Sequence, residues 1–412
     1  MGIEQNVPQV RFKGFTDAWE QHKLFDLLTQ RIQHQTISED APLLAFSYAE
    51  GVINPEDKKT NKRDFLMTDK DNKVFSLTEK DDIIYNPANI IHGAIHRNKL
   101  GRGVVSPIYK IFICNNVSPK FMGERLHTDD FIKRASKYIE GTVIKLRTLS
   151  PETFLDMNLT IPTSNKEQEK IGLLLEKIED IIERYQNKYT TLQRLKKSML
   201  QKMFPKKGSM YPEIRFAGFT DAWEQRKLGD IGENYTGLSG KTKEDFGHGN
   251  AKFVTYMNVF SNSIADSSMT ESVEIDKKQN EVKYGDVFFT TSSETPDEVG
   301  MSSVWLENGE NTYLNSFCFG YRPSVKINSY YMAYMLRSDN VRKNIVFLAQ
   351  GISRYNISKN KMMEISVPLP NLEEQQKIGE YFRNLDNLIT LHQQKLETLK
   401  KIKKAMLQKM FV

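Results

Sequence analysis

The sequence predicts an α+β fold with two globular domains in a tandem pseudo-repeat, each followed by a long helix, the two helices pairing as an antiparallel coiled coil. Three observations support this prediction. The start of the chain returns near its middle, a second short segment closes both halves, and apolar residues repeat every seven positions before each closing segment. Short strand-like runs lie between these repeated parts.

The repeated segments divide the 412-residue chain into two halves. Residues 7–24 return as residues 211–228, with 13 of 18 positions identical at a constant offset of 204. The segment KKSMLQKMF ends at Phe204, and KKAMLQKMF ends at Phe411. Between these ends the two halves diverge strongly. A frame that is duplicated while its middle varies indicates a scaffold that carries two different binding domains.

Composition predicts a globular cytoplasmic protein, with 39% hydrophobic residues, 27% charged residues and a net charge of +6. No run of 18 apolar residues and no basic-then-apolar start exists, so neither a membrane span nor secretion is predicted. Two cysteines are too few for a disulfide framework or a four-thiolate zinc site. Because Cys114 and Cys318 lie 204 residues apart, we predict buried strand residues at equivalent places in the two halves.

The middle of each half is predicted to be rich in strands. The β-branched and aromatic runs DDIIYNP, VVSPIYKIFIC, GDVFFTTS and NSFCFGYRPSV are bounded by turn residues. Residues 129–139 and 329–349 are predicted to be helical. The predicted domains are a first globular domain at residues 1–160, a first coiled-coil helix at 161–205, a second globular domain at 206–366 and a second coiled-coil helix at 367–412.

Each long helix is predicted from a heptad pattern of apolar a and d positions. The a positions, at which the helices would pair or bind a partner, are Ile171, Ile178, Tyr185, Leu192 and Met199, then Ile378, Leu385, His392, Leu399 and Met406. Asn165 and Asn371 follow prolines and are predicted to start the helices. A helix from residue 167 to 204 would span about 57 Å, whereas the six-residue linker after it reaches only roughly 20 Å. If the helices pair, the second must therefore run antiparallel to the first.

No motif assembles an active site, so the chain is not predicted to be an enzyme. GLSGKT at residues 237–242 has Tyr235 where a phosphate-binding loop needs its first glycine. His92 and His96 have i,i+4 spacing, but no glutamate follows His92 and no third ligand is evident. We therefore predict that this chain binds no metal and no cofactor.

Two stretches concentrate positive charge. Residues 91–150 contain 11 basic and 4 acidic side chains, and residues 321–370 contain 8 and 2. Either stretch has the charge to bind the phosphate backbone of a nucleic acid. The alternative interpretation is a basic surface that only faces solvent. Polar side chains suited to base edges lie nearby. The candidate DNA-binding residues are Asn89, His92, His96, Arg97, Lys99 and Arg102 in the first half, and Ser239, Lys241, Thr242, Lys243, Asn258, Ser292, Ser293, Arg354, Tyr355 and Asn356 in the second.

The whole chain resembles the specificity subunit of type I restriction–modification systems. RFxGFTDAWEQxKL opens both halves, GISRYNIS lies at residues 351–358, and the helix openings IPTSNKEQEKIG and VPLPNLEEQQKIG combine prolines with Glu and Gln. SMLQKMFP and AMLQKMF close the halves. The first half has EGTVIKLRTLS where the second has QGISRYNIS, so it lacks the Arg-Tyr-Asn sequence.

The resemblance implies a non-catalytic subunit of a restriction endonuclease and adenine methyltransferase complex. Each globular domain would be a target-recognition domain that reads one half of an asymmetric bipartite site in double-stranded DNA, and the helix pair would set the spacer. The implied partners are two methyltransferase subunits, which carry S-adenosylmethionine, and restriction/translocase subunits, which use ATP and Mg²⁺.

Two other classes of function are compatible with parts of the sequence. An adaptor that gathers proteins through its coiled coil would show no salt-dependent DNA binding. A self-sufficient methyltransferase or nuclease is disfavoured by the missing cofactor and metal motifs. Methyl transfer by the chain alone would distinguish that class from the other two.

Overall fold

The computed structural model describes residues 6–57, 73–139 and 148–412, and the chain divides into two compact units. Unit 1 comprises Met1–Tyr185 with Lys395–Val412, and unit 2 comprises Gln186–Gln394. Both units mix helices with small sheets, as the predicted α+β class requires. The division cuts both long helices, so each unit contains a part of each.

The first half of the chain contributes short strands, four short helices and one long helix among the described residues. The strands are β1 (Glu20–Lys23), β2 (Leu28–Gln30), β3 (His34–Gln35), β4 (Ala45–Ser47), β5 (Gly51–Ile53), β6 (Phe75–Thr78), β7 (Ile83–Tyr85), β8 (Ile95–Arg97), β9 (Gly103–Val105), β10 (Lys110–Cys114) and β11 (Asn158–Ile161). The helices are α1 (Leu24–Leu27), α2 (Pro119–Leu126), α3 (Asp129–Ser136), α4 (Pro151–Leu155) and α5 (Asn165–Lys202).

The second half repeats this order with different lengths. Its strands are β12 (Glu224–Lys227), β13 (Gly232–Thr236), β14 (Phe246–Val254), β15 (Thr270–Val273), β16 (Val287–Thr290), β17 (Ser292–Ser293), β18 (Ser302–Val304), β19 (Thr312–Leu314), β20 (Cys318–Pro323), β21 (Tyr355–Asn356) and β22 (Ser366–Leu369). Its helices are α6 (Leu228–Ile231), α7 (Tyr256–Ser261), α8 (Ser329–Leu336), α9 (Asp339–Phe347), α10 (Lys359–Met363) and α11 (Leu372–Met410).

A four-stranded antiparallel sheet lies in each unit, with strand order β2-β10-β7-β8 in unit 1 and β13-β20-β16-β18 in unit 2. The inner strands carry completely buried apolar residues such as Ile83 and Phe112 in unit 1 and Val287 and Tyr321 in unit 2. A strand that is buried on both faces has a continuous run of apolar residues in its sequence, which explains why these strands are predictable from the sequence.

Cys114 and Cys318 both lie in strands, as predicted, but only Cys318 is buried, Cys114 is half-buried, and the prediction that they are equivalent is wrong. Phe112 pairs with Ile83 in unit 1, whereas Tyr321 pairs with Val287 in unit 2. Equivalent residues are therefore 204 positions apart in β7 and β16 but 209 positions apart in β10 and β20. The reason is that the connection between the two strands is five residues longer in the second half. Burial raises the pKa of both thiols, to about 12 for Cys114, which keeps them protonated and unreactive.

The second difference from the sequence prediction concerns residues 329–349. One helical stretch was predicted, but α8 ends at Leu336 and α9 begins at Asp339. The interruption places the guanidinium of the half-buried Arg337 against four backbone carbonyls, those of Ser302, Val259, Phe260 and Asn262, at 2.7 to 3.0 Å. Burial lowers the pKa of Arg337 to about 10. Four carbonyl acceptors compensate part of the cost of burying the charge.

The long helices begin close to the predicted residues. The Asn371 side chain caps α11 by accepting a hydrogen bond from the Glu374 backbone at 2.9 Å, which confirms that cap. Asn165 is itself the first residue of α5, and the Ser164 carbonyl before it accepts from the backbone of Glu167. Each helix therefore starts immediately after the short sheet that pairs β11 with β1, or β22 with β12.

The repeated parts of each unit form a frame, which we define as this two-stranded sheet, the start of the following long helix and the loop before the sheet. In unit 1, Gln168 ties the start of α5 to the segment after β11 by donating to Pro162 O at 2.8 Å, and to the start of α2 by accepting from Ser118 N at 2.9 Å. Gln375 repeats both kinds of contact in unit 2. A Cβ atom on Gly172 would lie 2.6 Å from the Lys120 Cβ, so α5 can approach α2 this closely only with glycine at that position.

The closing segments of the two halves pack into cores. Phe204 lies in the unit 2 core against Trp223 and Phe382, with ring centroids 6.3 and 5.9 Å away. Phe411 packs in the unit 1 core against Trp19 at 6.3 Å. Each closing segment is thus part of the unit built mainly from the other half of the chain.

Among the described residues, no helix is long and apolar enough to cross a membrane.

Candidate nucleic-acid interface

The ribbon, which we define as the two-stranded sheet of β17 and β21, brings together five predicted DNA-binding residues. Ser292 pairs with Asn356, Ser293 pairs with Tyr355, and Arg354 directly precedes β21. Both serines are buried, whereas Arg354 and Asn356 are exposed. The solvent side of the ribbon therefore presents an amide and a guanidinium, which are the groups that bind base edges and phosphates.

The ribbon is held rigidly against the core of unit 2. The backbone of Thr291 donates to Phe317 O and accepts from Ile357 N, both at 3.0 Å. The Tyr256 hydroxyl donates to Ser292 O at 2.7 Å. Since Ile357 is only 6% exposed, it anchors the end of the ribbon in the interior.

Asn258 lies on α7 beside this ribbon, but its side chain is 0% exposed. Its Nδ2 donates to Asp266 O at 2.7 Å and Met269 O at 3.1 Å, and its Oδ1 accepts from Asp266 N at 2.9 Å and Asn262 Nδ2 at 3.0 Å. These bonds use the full capacity of the amide. Asn258 therefore holds the turn after α7 and has no polar group left over for a base.

The loop after the edge strand β13 carries four predicted residues, Ser239, Lys241, Thr242 and Lys243. Thr242 and Asp245 form a capping box, with the Thr242 backbone donating to the Asp245 carboxylate at 2.6 Å. The Lys241 ammonium lies 3.0 Å from the Asp276 carboxylate. Lys243 is exposed. This loop follows the edge strand of the four-stranded sheet, whereas the ribbon is a separate two-stranded sheet.

In unit 1, Asn89 and His92 are exposed on one turn between β7 and β8. His96 is half-buried in β8, where a ring nitrogen lies 2.9 Å from Tyr48 O and the ring packs at a tilt against His127 with centroids 4.4 Å apart. Burial, with a smaller contribution from His127, lowers the pKa of His96 to about 4. His96 is therefore neutral at physiological pH.

The basic candidates of unit 1 are paired with carboxylates. Arg97, whose side chain is 5% exposed, forms ion pairs with Asp81 and with Glu176 of α5. Arg102 forms an ion pair with Glu79. Binding of a phosphate to either guanidinium would compete with a carboxylate that is already in place.

Lys99 belongs to a second charged group, which we call the four-residue cluster: Lys99, Glu124, Glu179 and Lys403. Glu179 contacts both lysines, and the Lys403 ammonium lies 3.4 Å from the Glu124 carboxylate. Burial alone would raise the pKa of Glu179, but the positive charges of Lys403 and Lys99 lower it to about 2. Burial and the charge of Glu179 raise the pKa of Glu124. Sequence analysis missed these acidic partners, because 80 residues separate Lys99 from Glu179 and no local pattern links them.

The heptad positions differ in burial along the helices. The buried a positions are Ile171, Ile178, Ile378, Leu385 and Leu399. The partly buried a positions are Tyr185, Leu192, Met199, His392 and Met406. Four d positions remain 37 to 47% exposed, namely Ile181, Leu195, Leu388 and Ile402. The helices therefore keep apolar side chains available for a further contact.

Within the part of the chain that the structure describes, no group of three or more His, Cys, Asp or Glu side chains could hold a metal ion. The segment of residues 140–147, where the first half departs from the Arg-Tyr-Asn sequence, lies outside the described residues.

Comparison with protein families identifies the second half most directly. Residues 220–401 match the family model described as the type I restriction modification DNA specificity domain. This range includes the ribbon, the sheet of β12 and β22 and most of α11.

Two relatives carry the same description in their names. The type I restriction enzyme MjaVIII specificity subunit of Methanocaldococcus jannaschii is 24% identical over 289 residues, which cover 68% of this chain and 66% of that protein. The putative MjaX specificity subunit of the same organism is 22% identical over 297 residues, covering 67% and 63%. The alignments thus span slightly less than two thirds of the length of both relatives.

The fold extends the likeness over the whole chain. The crystal structure of a type-I restriction–modification system S subunit from M. genitalium superposes with a TM-score of 0.59 at 13% identity, covering 98% of this chain and 99% of that one. At this identity the superposition shows a shared fold. Together with the specificity domain at residues 220–401 and the names of the two relatives, it shows that the chain is similar to type I restriction–modification specificity subunits.

Proposed function

We propose that this chain is the sequence-specific DNA-binding subunit of a type I restriction–modification complex, and that each unit reads one half of an asymmetric bipartite site in double-stranded DNA. One observation carries the proposal. The same four-stranded sheet and the same frame occur in both units, but the exposed polar groups beside them differ: a turn with Asn89 and His92 in unit 1, and the ribbon with Arg354 and Asn356 in unit 2. Equal scaffolds with unequal contact groups suit two different half-sites.

The predicted DNA-binding residues fall into groups with different proposed roles. Exposed Asn89, His92, Arg354 and Asn356 are proposed to contact bases or phosphates. Arg97, Lys99, Arg102, Lys241 and Asn258 are engaged inside their own units and are proposed to support the contact surfaces. Exposed Lys243 is proposed to bind phosphate, which would contribute to the salt dependence of DNA binding.

We further propose that α5 and α11 pair as an antiparallel coiled coil that sets the spacer between half-sites. Two contacts support this pairing, and each lies inside one unit. Glu179 contacts Lys403 in unit 1, and Lys196 contacts Asp386 at 2.5 Å in unit 2. From the first pair to the second, the residue number on α5 rises by as much as the residue number on α11 falls. This is the pattern that two neighbouring antiparallel helices produce. The proposed target-recognition domains are residues 1–160 and 206–366, and the proposed coiled-coil helices are residues 161–205 and 367–412.

Two methyltransferase subunits are the proposed protein partners, with one bound to each frame. The support is a repeated loop, which we define as residues 14–18 and 218–222, GFTDA in both halves. Its Gly, Thr, Asp and Ala are exposed in both units, so packing does not explain why they are identical. Lys170 lies over the Phe15 ring at 5.1 Å, and Lys377 over the Phe219 ring at 4.8 Å, so both loops sit on their helix in the same way. Two identical surfaces fit two copies of one partner.

In this proposal the chain performs no chemistry. S-adenosylmethionine belongs to the methyltransferase subunits, and ATP and Mg²⁺ to the restriction/translocase subunits. The exposed d positions of α5 and α11 provide apolar surface for these partners. They would equally serve an adaptor that gathers proteins without reading DNA, which makes the adaptor the competing function.

The experiment measures DNA binding and methyl transfer by the purified chain, by its cognate methyltransferase subunit and by both together. We expect methylation only from the mixture, at a bipartite site, with DNA affinity that falls steeply with salt. An adaptor would join the methyltransferase without changing which DNA is bound or methylated. Methylation by this chain alone would contradict its assignment as a non-catalytic subunit.

A further inference from the structure

The ribbon continues into a hairpin at residues 350–356. Gln350 and Asn356 exchange two backbone hydrogen bonds, at 3.0 and 2.8 Å, that close the hairpin. Gly351 has a φ of +142°, and a Cβ atom there would lie 2.0 Å from Arg354 O. Only glycine fits this position, so the tight turn of the hairpin depends on Gly351.

The tip of this rigid hairpin is apolar and projects into solvent. Ile352 is 95% exposed, and Phe347, which ends α9 three residues before the hairpin, is 88% exposed. These are the two highest exposures among the large apolar residues that the structure describes. Isolated exposed apolar side chains are ordinary, but the most exposed one lies at a hairpin tip beside a candidate interface, and Phe347 precedes that hairpin by three residues. This arrangement indicates a contact with a partner.

The charge around the tip identifies the kind of partner. Residues 339–361 contain five basic side chains and one acidic side chain. Arg342 is used internally, donating to the carbonyls of Gly300, Asp297 and Val299. Lys343, Arg354 and Lys361 lie near the tip in the sequence and are exposed, and Arg354 forms no ion pair with any described residue. An apolar tip with nearby positive charges is complementary to a DNA groove, whose walls carry phosphates and whose floor presents base-pair edges, between which an apolar side chain can insert.

We propose that Ile352 is a wedge that presses into the base stack of the half-site bound by unit 2, with Phe347 enlarging the apolar contact and Arg354 binding the adjacent phosphate. This inference rests on the proposed DNA-reading function. It adds that unit 2 selects its half-site partly by how easily one base step unstacks, since unstacking has a sequence-dependent cost.

The test uses the full chain assembled with its methyltransferase subunit and duplexes that contain the bipartite site. Each duplex carries one 2-aminopurine, whose fluorescence rises when its base unstacks, scanned across the second half-site and its flanks but not at the methylated adenine. We expect a fluorescence rise at one step with the unsubstituted chain. Ile352→Ser should lose most of that rise, Ile352→Leu should keep it, and Arg354→Gln should reduce the salt dependence of affinity by about one phosphate contact.

Ile275→Ser is the matched control, because Ile275 is 45% exposed and follows β15, in a different sheet. It should leave both the fluorescence and the salt dependence unchanged. An unchanged rise with Ile352→Ser, or a loss of methyltransferase binding with DNA contacts intact, would overturn the wedge while leaving DNA reading in place. Failure of the unsubstituted complex to bind the site specifically would instead reject the proposed function, and the wedge with it.

Discussion

Arg215 and Glu374 form a two-pronged ion pair, in which Nε and Nη2 of the arginine donate to the two carboxylate oxygens at 2.8 and 2.9 Å. The Glu374 side chain is 0% exposed and also accepts from Trp223 Nε1 at 3.1 Å. Arg11 and Glu167 repeat the pair in unit 1 at 2.6 and 2.8 Å. The pair therefore joins the loop before each short sheet to the first turn of each long helix.

Replacing Glu374 should destabilise unit 2. Glu374→Gln removes the negative charge while leaving the largely buried Arg215 guanidinium in place, which should cost about 3 kcal/mol in the free energy of unfolding. The measurement is urea unfolding followed by tryptophan fluorescence. The control Glu373→Gln changes an adjacent exposed carboxylate in an i,i+4 pair with Lys377 and should stay within about 0.5 kcal/mol. Equal stability of both variants would refute a structural role for the pair.

The four-residue cluster predicts a similar contrast in unit 1. Lys403→Met should leave Glu124 and Glu179 close together with one fewer positive charge and lower stability by about 3 kcal/mol. Lys404→Met is the matched control, since Lys404 is the neighbouring exposed lysine. Both are measured by urea unfolding at neutral pH. A similar small effect of the two substitutions would count against the cluster.

The depressed pKa of Glu179 predicts acid sensitivity. Its ordinary value is 4.5 and its value in the fold is about 2, so Glu179 contributes stability above pH 4.5 that is lost as the pH falls towards 2. Lys403→Met should move the pKa of Glu179 upward and shrink this loss. The check is the free energy of unfolding across this pH range, compared between the unsubstituted chain and the variant. An identical pH profile would mean that Lys403 does not lower the pKa of Glu179.

The repeated loops predict the stoichiometry of the complex. Asp17→Lys or Asp221→Lys should remove one bound methyltransferase subunit, and the double substitution should remove both, because each reverses the charge of one exposed surface. Native mass spectrometry counts the subunits. Asp40→Lys, at an exposed position of the divergent middle, should keep two. Full occupancy in the double variant would place the docking surface elsewhere, with the exposed d positions of the helices as the next candidate.

The sequence predicts those parts of the fold that depend on patterns of a few residues. It predicts the candidate site only in part. Buried runs such as residues 83–85 and the helix starts at Asn165 and Asn371 follow from patterns a few residues long. The shift of β20 by five positions does not, because it depends on the length of an irregular connection. The ribbon residues were named from sequence, but exposure depends on tertiary packing: Asn258 and Asn356 are the same residue type, yet one is buried and the other exposed.

The most direct test that the two units read their half-sites independently is an exchange of the divergent middle of unit 1. Residues 25–148 are replaced by the corresponding segment of another protein with the same frame, and the chain is expressed with its methyltransferase subunit. Methylation sequencing of the host genome then reports the recognised site. We predict that one half-site changes while the other half-site and the spacer stay the same. A change in both half-sites, or in neither, would contradict it.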